Sequence, residues 1–176
     1  AAASARWWGD VDIPMGDTMR WQIGPLRFWA QRLPGEWRLS LTRDGDALSE
    51  SLAIATLVPA TDVSADATVQ RFGVPGRGTG LTLAPLLGDR PMVSRPDRPF
   101  FVPSGQEADV FVGSALWLQV STRESGRVAH RLIDVPIYRP SDTWFGPTTN
   151  EGELCYATRT ACRVRVEDIP FRPHRC

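Results

Sequence analysis

The residues best suited to chemistry lie close together in one stretch, residues 141–156. This stretch contains three carboxylates, Asp142, Glu151 and Glu153. Two carboxylates that share a cleft can act as general acid and general base, because each charge shifts the pKa of the other. Trp144 would then offer a platform on which a substrate stacks. A carboxylate-based hydrolase with these three catalytic candidates is therefore one hypothesis.

The same stretch also has two non-catalytic interpretations. Aromatic side chains beside polar groups bind sugars and other small polar ligands, and the candidates here are Trp144, Phe145 and Tyr156. Alternatively, residues 139–152 form a long structural loop in which Asp142 caps a turn through backbone N–H groups. A loop of about 14 residues exceeds most hairpin connections, and such loops often carry function.

Seven tryptophans are many for a chain of this length, and sequence alternation sorts them into groups. Three lie on apolar faces of predicted strands and are expected in the core: Trp21, Trp37 and Trp117. Trp29 points away from the apolar face of its strand, so it either binds a sugar or a partner, or lies under a loop or the N-terminal segment. Trp7 and Trp8 are expected to dock the N-terminal segment onto the sheet or onto a neighbouring chain.

The cysteine and histidine spacing does not predict a metal site. The possible ligands Cys155, Cys162, His174 and Cys176 lack the two close pairs of a structural zinc site. Cys155 and Cys162 flank a predicted hairpin turn, where they would face each other as two thiols or as a disulfide. No cofactor is expected either. The chain has no lysine, and hence no residue for a pyridoxal Schiff base or a phosphate-binding loop.

Other catalytic signatures are also missing from the sequence. It has no Gly-x-Ser-x-Gly elbow, no His-Glu-x-x-His and no Walker loop. The run Gly-Arg-Gly-Thr-Gly at 76–80 resembles a phosphate loop, but Leu81 occupies the place of the third glycine. His130 follows a strand pattern and is interpreted as a half-exposed structural residue.

Alternating apolar and polar residues predict short strands throughout the chain. Two alternating runs flank Pro34-Gly35 and predict a hairpin over residues 26–43. The further predicted strands are 52–58, 68–74, 80–86, 100–103, 108–113, 115–122, 127–133, 135–139, 153–158 and 161–167. Residues 46–57 have a short helix as an alternative, and the proline-rich residues 88–99 favour an extended connection or an edge. The predicted fold is all-β: an antiparallel sandwich or barrel of about ten short strands with little helix.

Composition bounds the class of protein. A length of 176 residues predicts a single β domain over 1–176, with residues 1–15 as an N-terminal segment docking on the sheet. Acidic and basic residues number 20 each, which argues against nucleic acid or an anionic membrane as partner. No apolar run approaches the roughly 20 residues of a transmembrane segment. Three cysteines are too few for a secreted disulfide scaffold, so a cytoplasmic location is expected.

Four motifs carry a family resemblance. They are Ile-Gly-Pro-Leu at 23–26, Glu-Trp-Arg at 36–38, Ser-Asp-Thr-Trp-Phe-Gly at 141–146 and Glu-Gly-Glu-Leu-Cys-Tyr at 151–156. With these motifs the chain resembles an uncharacterised prokaryotic family of small β-rich proteins, a domain of unknown function. The resemblance runs over most of the chain. It implies a free-standing small prokaryotic protein and assigns no catalytic residue.

These observations favour a non-catalytic binding or interaction module, free or as a subunit of a larger assembly. Its partner would be another protein or a second copy of the chain. The binding candidates are Trp29, Trp144, Phe145, Tyr156, Trp7 and Trp8. The alternative is a carboxylate-based hydrolase or a carbohydrate-binding domain that uses the 139–156 region. The missing catalytic signatures lean against an enzyme without excluding one.

Overall fold

The computed structural model describes residues 6–44, 51–73 and 80–160. Within these ranges the chain forms twelve β-strands and one 3-10 turn, Ala60–Asp62, and contains no α-helix. The strands are β1 (Gly9–Asp12), β2 (Thr18–Ile23), β3 (Leu26–Leu33), β4 (Glu36–Arg43), β5 (Leu52–Val58), β6 (Thr68–Gly73), β7 (Gly80–Leu87), β8 (Met92–Pro96), β9 (Leu116–Glu124), β10 (Arg127–Pro136), β11 (Asp142–Phe145) and β12 (Glu153–Thr160). The prediction of an all-β fold is confirmed.

The strands form three sheets, with the orders β5-β2-β3-β4-β6, β1-β7-β9-β10 and β11-β12-β8. All neighbours are antiparallel except β12 and β8, which run parallel. None of the sheets closes on itself in the described parts of the chain, so the barrel alternative is wrong. The third sheet was not predicted as a unit: β12 corresponds to the predicted strand 153–158, but β8 lies in the region expected to be an extended connection or an edge, and β11 lies in the region expected to be a loop.

The first two sheets share one core. Strand alternation directs one face of each sheet inward, and the buried side chains of both faces form a single cluster. Its largest members are Trp7, Trp21, Phe28, Trp37, Ile13, Ile23, Leu26, Leu39, Leu81, Leu83, Leu118 and Ile137. Arg43 on β4 links the two sheets by donating from Nε and Nη2 to the carbonyl of Pro136, at 3.1 and 2.6 Å. This arrangement is a β-sandwich.

Most strand predictions correspond to observed strands. The hairpin over residues 26–43 is confirmed as β3 and β4, and its turn places Gly35 at a φ of 72°, a conformation that favours glycine. Residues 52–58 form β5, so the helix alternative for 46–57 is wrong over the described part of that range. The proline-rich region contributes β8, an edge strand, as expected. The predicted strand 161–167 lies outside the described residues.

Two strand predictions, 100–103 and 108–113, are wrong. Residues 97–113 form no strand, and every residue from 95 to 113 is exposed. Alternation indicates that a segment suits a strand, but a strand also needs a neighbour for its backbone hydrogen bonds. These runs have no such neighbour in the described structure. The predicted loop 139–152 is also shorter than expected, because β11 occupies residues 142–145.

Candidate functional site

A cavity with both apolar and polar walls lies where the connection from β7 to β8 meets β12. Its volume is about 430 Å³, and its lining comprises residues 87–92 with Ser114 and Tyr156. Tyr156 is on the central strand of the third sheet, opposite Asp142 on β11 and Met92 on β8. Its side chain is buried at the cavity wall. The third sheet therefore positions the one predicted binding residue that lines this cavity.

Charged side chains surround the Tyr156 ring. The hydroxyl donates to Asp89 Oδ1 at 2.7 Å, and the guanidinium groups of Arg90 and Arg139 lie 5.6 and 6.0 Å from the ring centre. Asp142 accepts from both arginines, at 3.1 and 3.3 Å. Burial raises the pKa of Tyr156, and the hydrogen bond to Asp89 raises it further. The phenol is therefore neutral near pH 7 and acts as a donor.

A side chain larger than hydrogen would crowd the inner wall of this cavity at Gly88. A Cβ atom at Gly88 would lie 3.1 Å from Tyr156 Cε2 and 3.3 Å from Trp117 Nε1. Trp117 Nε1 is itself buried and finds no hydrogen-bond partner among the described residues. A buried indole N–H normally has an acceptor, so this atom is an unsatisfied donor beside the cavity.

The structure places two of the three catalytic candidates on opposite faces of one hairpin. In the β11–β12 register Asp142 lies opposite Tyr156, and Phe145 lies opposite Glu153. Because side chains alternate between the two faces of a strand, Asp142 and Glu153 project from opposite faces of the hairpin. Glu151 lies in the connection between the two strands. Asp142 is also held in ion pairs with two arginines. Because they project from opposite faces, Asp142 and Glu153 do not face each other across one cleft.

The exposed aromatics of this hairpin do not form a common platform. Trp144 is 44% exposed, and its Nε1 donates to the carbonyl of Thr148 at 2.9 Å. Phe145 is also exposed, but as the next residue of β11 it projects from the other face.

Trp7 is buried in the core and contacts the partly exposed Trp8 edge to face at 5.5 Å.

Trp29 lies under a loop, which is one of the two positions left open by the sequence. It is only 2% exposed, on the outer face of the five-stranded sheet. Its Nε1 donates to Asp62 Oδ2 at 2.9 Å, and Asp62 also pairs with Arg20 at 3.0 Å. A cleft of about 350 Å³ adjoins Trp29, between the 3-10 turn and β6. The Trp29 ring is not available as an exposed stacking surface.

Cys155 is a buried free thiol, and burial raises its pKa, with the charge of Glu153 adding to the effect. The other possible metal ligands, Cys162, His174 and Cys176, lie outside the described residues, as does most of the glycine run at 76–80. The described ranges hold no group of three His, Cys, Asp or Glu side chains that could bind a metal. They also hold no helix long and apolar enough to cross a membrane.

Six of the exposed large hydrophobic side chains in the described ranges fall on one segment that sequence patterns did not single out as a binding surface. Residues 97–113, termed here the exposed segment, carry six large apolar side chains in the open: Phe100, Phe101, Val102, Val110, Phe111 and Val112. Phe101 is 87% exposed. At about 200 Å² for a whole phenylalanine side chain, the three phenylalanines alone expose ~400 Å². In the sequence, the exposed side chains form two apolar triplets, 100–102 and 110–112, whose pattern predicts strands within the protein's own sheets.

The fold and these sites define a class: an open β-sandwich with an additional three-stranded sheet and an apolar segment outside its core. The chain belongs to the family described as "Protein of unknown function (DUF432)", which matches residues 7–176. The resemblance to a family of unknown function is thereby confirmed. No curated protein and no solved structure matches the chain.

Proposed function

We propose that the protein is a non-catalytic interaction module that contacts a protein partner through the exposed segment. The observation that supports this proposal is the exposure of six large apolar side chains on consecutive runs of one segment. A typical monomer has a largest apolar patch of about 300–600 Å², and such a patch is often functional. The summed exposed area of the three phenylalanines in the segment is of that scale.

The composition of the segment favours a protein surface as its partner. Aromatic side chains are enriched at the energetic centres of protein interfaces. The segment has three phenylalanines but also Asp97, Glu107 and Asp109 against the single basic residue Arg98. An excess of carboxylates disfavours nucleic acid and anionic lipid. The partner should therefore combine an apolar surface with basic groups.

The arrangement of the carboxylates favours binding over catalysis. Acid–base catalysis on a glycoside needs two carboxyl groups about 5–10 Å apart across an open cleft. The opposite faces of Asp142 and Glu153 do not provide this pair. A prokaryotic origin and a cytoplasmic location are further parts of the proposal. The cytoplasmic location is supported by the free thiol of Cys155, which suits a reducing compartment.

The test is the native mass of the protein, purified from its host without denaturation and measured by light scattering and native mass spectrometry. We expect the wild type to carry a partner or to form a closed homo-oligomer, and the Phe101→Ser variant to be a monomer. Phe145→Ser is the matched control, because Phe145 is exposed but lies outside the segment. A wild type that is a bare monomer would contradict the proposal.

A second candidate function is the binding of a neutral polar ligand, such as a sugar, in the Tyr156 cavity. The observation in its favour is the set of fixed donors and acceptors around one aromatic ring, with Arg90 and Arg139 balanced by Asp89 and Asp142. Saturation-transfer NMR with neutral mono- and disaccharides tests it. We expect saturable binding that Arg90→Ala abolishes, because Arg90 lines the cavity, and that Arg127→Ala preserves; an absence of saturable binding would refute it.

A further inference from the structure

Among the edge strands of the described sheets, β6 is the most suitable for pairing with another strand. The edges are β1, β5, β6, β8, β10 and β11. β1 and β11 have only four residues each, and β8 contains Pro96. The ladders that hold β5 and β10 are broken by register shifts, which protect an edge from pairing. β6 has six residues, no proline and an unbroken register with β4.

The two faces of β6 differ in character. Val69 and Arg71 lie opposite Ser40 and Arg38 on the outer face of the sheet. Phe72 lies opposite the core residue Trp37 and packs against the core from the inner face. The same inner face also carries the exposed polar residues Thr68 and Gln70. A strand added beside β6 would therefore meet Val69 and Arg71 on the outer face, and Phe72 with these two polar residues on the inner face.

The second half of the exposed segment has the matching alternation. In an extended conformation, Glu107, Asp109 and Phe111 share one face, and Ala108, Val110 and Val112 share the other. The first set places carboxylates and a phenylalanine on one side, and the second set is wholly apolar. This is the strand pattern that sequence analysis recognised at residues 108–113 and for which the described part of the chain provides no neighbour.

Charge complements this match. On the outer face, Arg38 and Arg71 both pair with the single carboxylate of Glu36, at 3.2 and 2.7 Å. This group carries a net charge of +1, and Arg71 is 65% exposed. Glu107 and Asp109 supply negative charge from the facing strand. Opposite charges on neighbouring strands stabilise pairing and select the register.

We propose that a second copy of this chain donates residues 106–112 as an added strand at the β6 edge, so that two copies exchange segments reciprocally. The inference rests on the proposed function and names its partner. Glu107, Asp109 and Phe111 lie beside Val69 and Arg71, while Val110 and Val112 extend the core beyond Phe72. Main-chain hydrogen bonds supply affinity and the alternating side chains supply specificity, as in other strand additions.

Reciprocal exchange gives each dimer two equivalent contacts. Each copy contributes one segment and one β6 edge, which makes the contact self-complementary with a two-fold axis. Within the donated residues, Phe111 is 57% exposed and brings ~110 Å² of phenylalanine surface to each contact, to which Val110, Val112 and the main chain add. The exchange covers Val110, Phe111 and Val112, which the monomer leaves exposed.

Sedimentation equilibrium of the full chain tests the dimer and the role of residues 106–112. We expect a dimer for the wild type and an increase of about tenfold or more in the dissociation constant for Val110→Asp, because a carboxylate would enter an apolar contact. Val128→Asp is the matched control, since Val128 is 61% exposed on the edge strand β10. Circular dichroism confirms that each variant is folded.

A charge exchange identifies the β6 edge. One variant carries Arg71→Glu and the other carries Glu107→Arg with Asp109→Arg. Each alone should dimerise poorly. Their mixture should form a heterodimer in native mass spectrometry, because it has one reversed and one original charge contact. An absence of heterodimer, with Val110→Asp still disruptive, would overturn the assignment to β6 and leave the proposed function standing.

Two further outcomes separate the inference from the proposed function. If the native protein carries a different partner that Phe101→Ser releases, the second copy is the wrong partner and the interaction module stands. If the wild type is a bare monomer both as purified alone and as isolated from its host, the segment exchange and the proposed interaction module are both overturned.

Discussion

Replacement of Asp62 by alanine should destabilise the sandwich, because it leaves one buried hydrogen-bond donor without an acceptor. Asp62 accepts from Trp29 Nε1 at 2.9 Å and from Arg20 at 3.0 Å. Without it, the indole N–H would remain buried under the 3-10 turn with no acceptor. The cost of an unsatisfied buried donor is about 1–3 kcal/mol. The ion pair with Arg20 adds little, because its side chains are 40% and 26% exposed and exposed pairs contribute roughly 0–1 kcal/mol.

We therefore expect Asp62→Ala to lower the free energy of unfolding by about 2 kcal/mol. For a chain of this size, that corresponds to a fall in Tm of about 4–8 °C. Asp62→Asn retains an acceptor for Trp29 and should cost about 1 kcal/mol or less. Urea unfolding followed by tryptophan fluorescence measures both variants, with the slope of the transition checked for constancy.

A double-mutant cycle with Trp29→Phe isolates the hydrogen bond. In the Trp29→Phe background no indole donor is left unsatisfied. The cost of Asp62→Ala should therefore be smaller than in the wild type by about 1 kcal/mol or more. Equal costs in the two backgrounds would refute the reasoning, because Asp62 would then act through Arg20 or the turn alone.

Three further variants test the Tyr156 cavity and the docking of β1. Gly88→Ala should cost about 1–3 kcal/mol through crowding against Tyr156, whereas Gly73→Ala, which meets open space, should cost less in the same thermal melt. The raised pKa of Tyr156 predicts that the unfolding free energy falls as pH rises above the ordinary tyrosine pKa of about 10, and Tyr156→Phe should remove part of that fall in alkaline titrations. Arg123→Ala should speed amide hydrogen exchange in β1, because Arg123 pairs with both aspartates of that strand; unchanged exchange would show that the ion pairs do not hold β1.

The two-sheet sandwich was predictable because its strands alternate strictly. In β2, β3 and β4, one face carries large apolar residues such as Trp, Phe and Leu, and the other face carries polar residues such as Arg and Gln. Because side chains alternate between the faces, only the apolar face can lie against the core. Trp29 marks the limit of this reasoning. Alternation correctly directs it away from the core, but its cover, the turn that contains Asp62, comes from a stretch 33 residues further along the chain.

The candidate sites were predictable only in part, because they depend on contacts between distant segments. Tyr156 was singled out, but Asp89 lies 67 residues before it, and no local pattern joins them. The carboxylates Asp142 and Glu153 are near in sequence, yet the register of β11 and β12 places them on opposite faces. Residues 108–113 have the pattern of a strand, and the pattern gives no information on which strand pairs with it.

Hydroxyl-radical footprinting of the intact protein tests the central claim most directly. Solvent exposure controls the labelling of phenylalanine, so Phe101 reports contact at the exposed segment, and Phe145, exposed at 61%, serves as the internal reference. We predict that Phe101 is labelled fully in dilute protein and is protected in the native complex, while Phe145 is labelled equally in both. Full labelling of Phe101 under both conditions would contradict the claim that this segment is the contact surface.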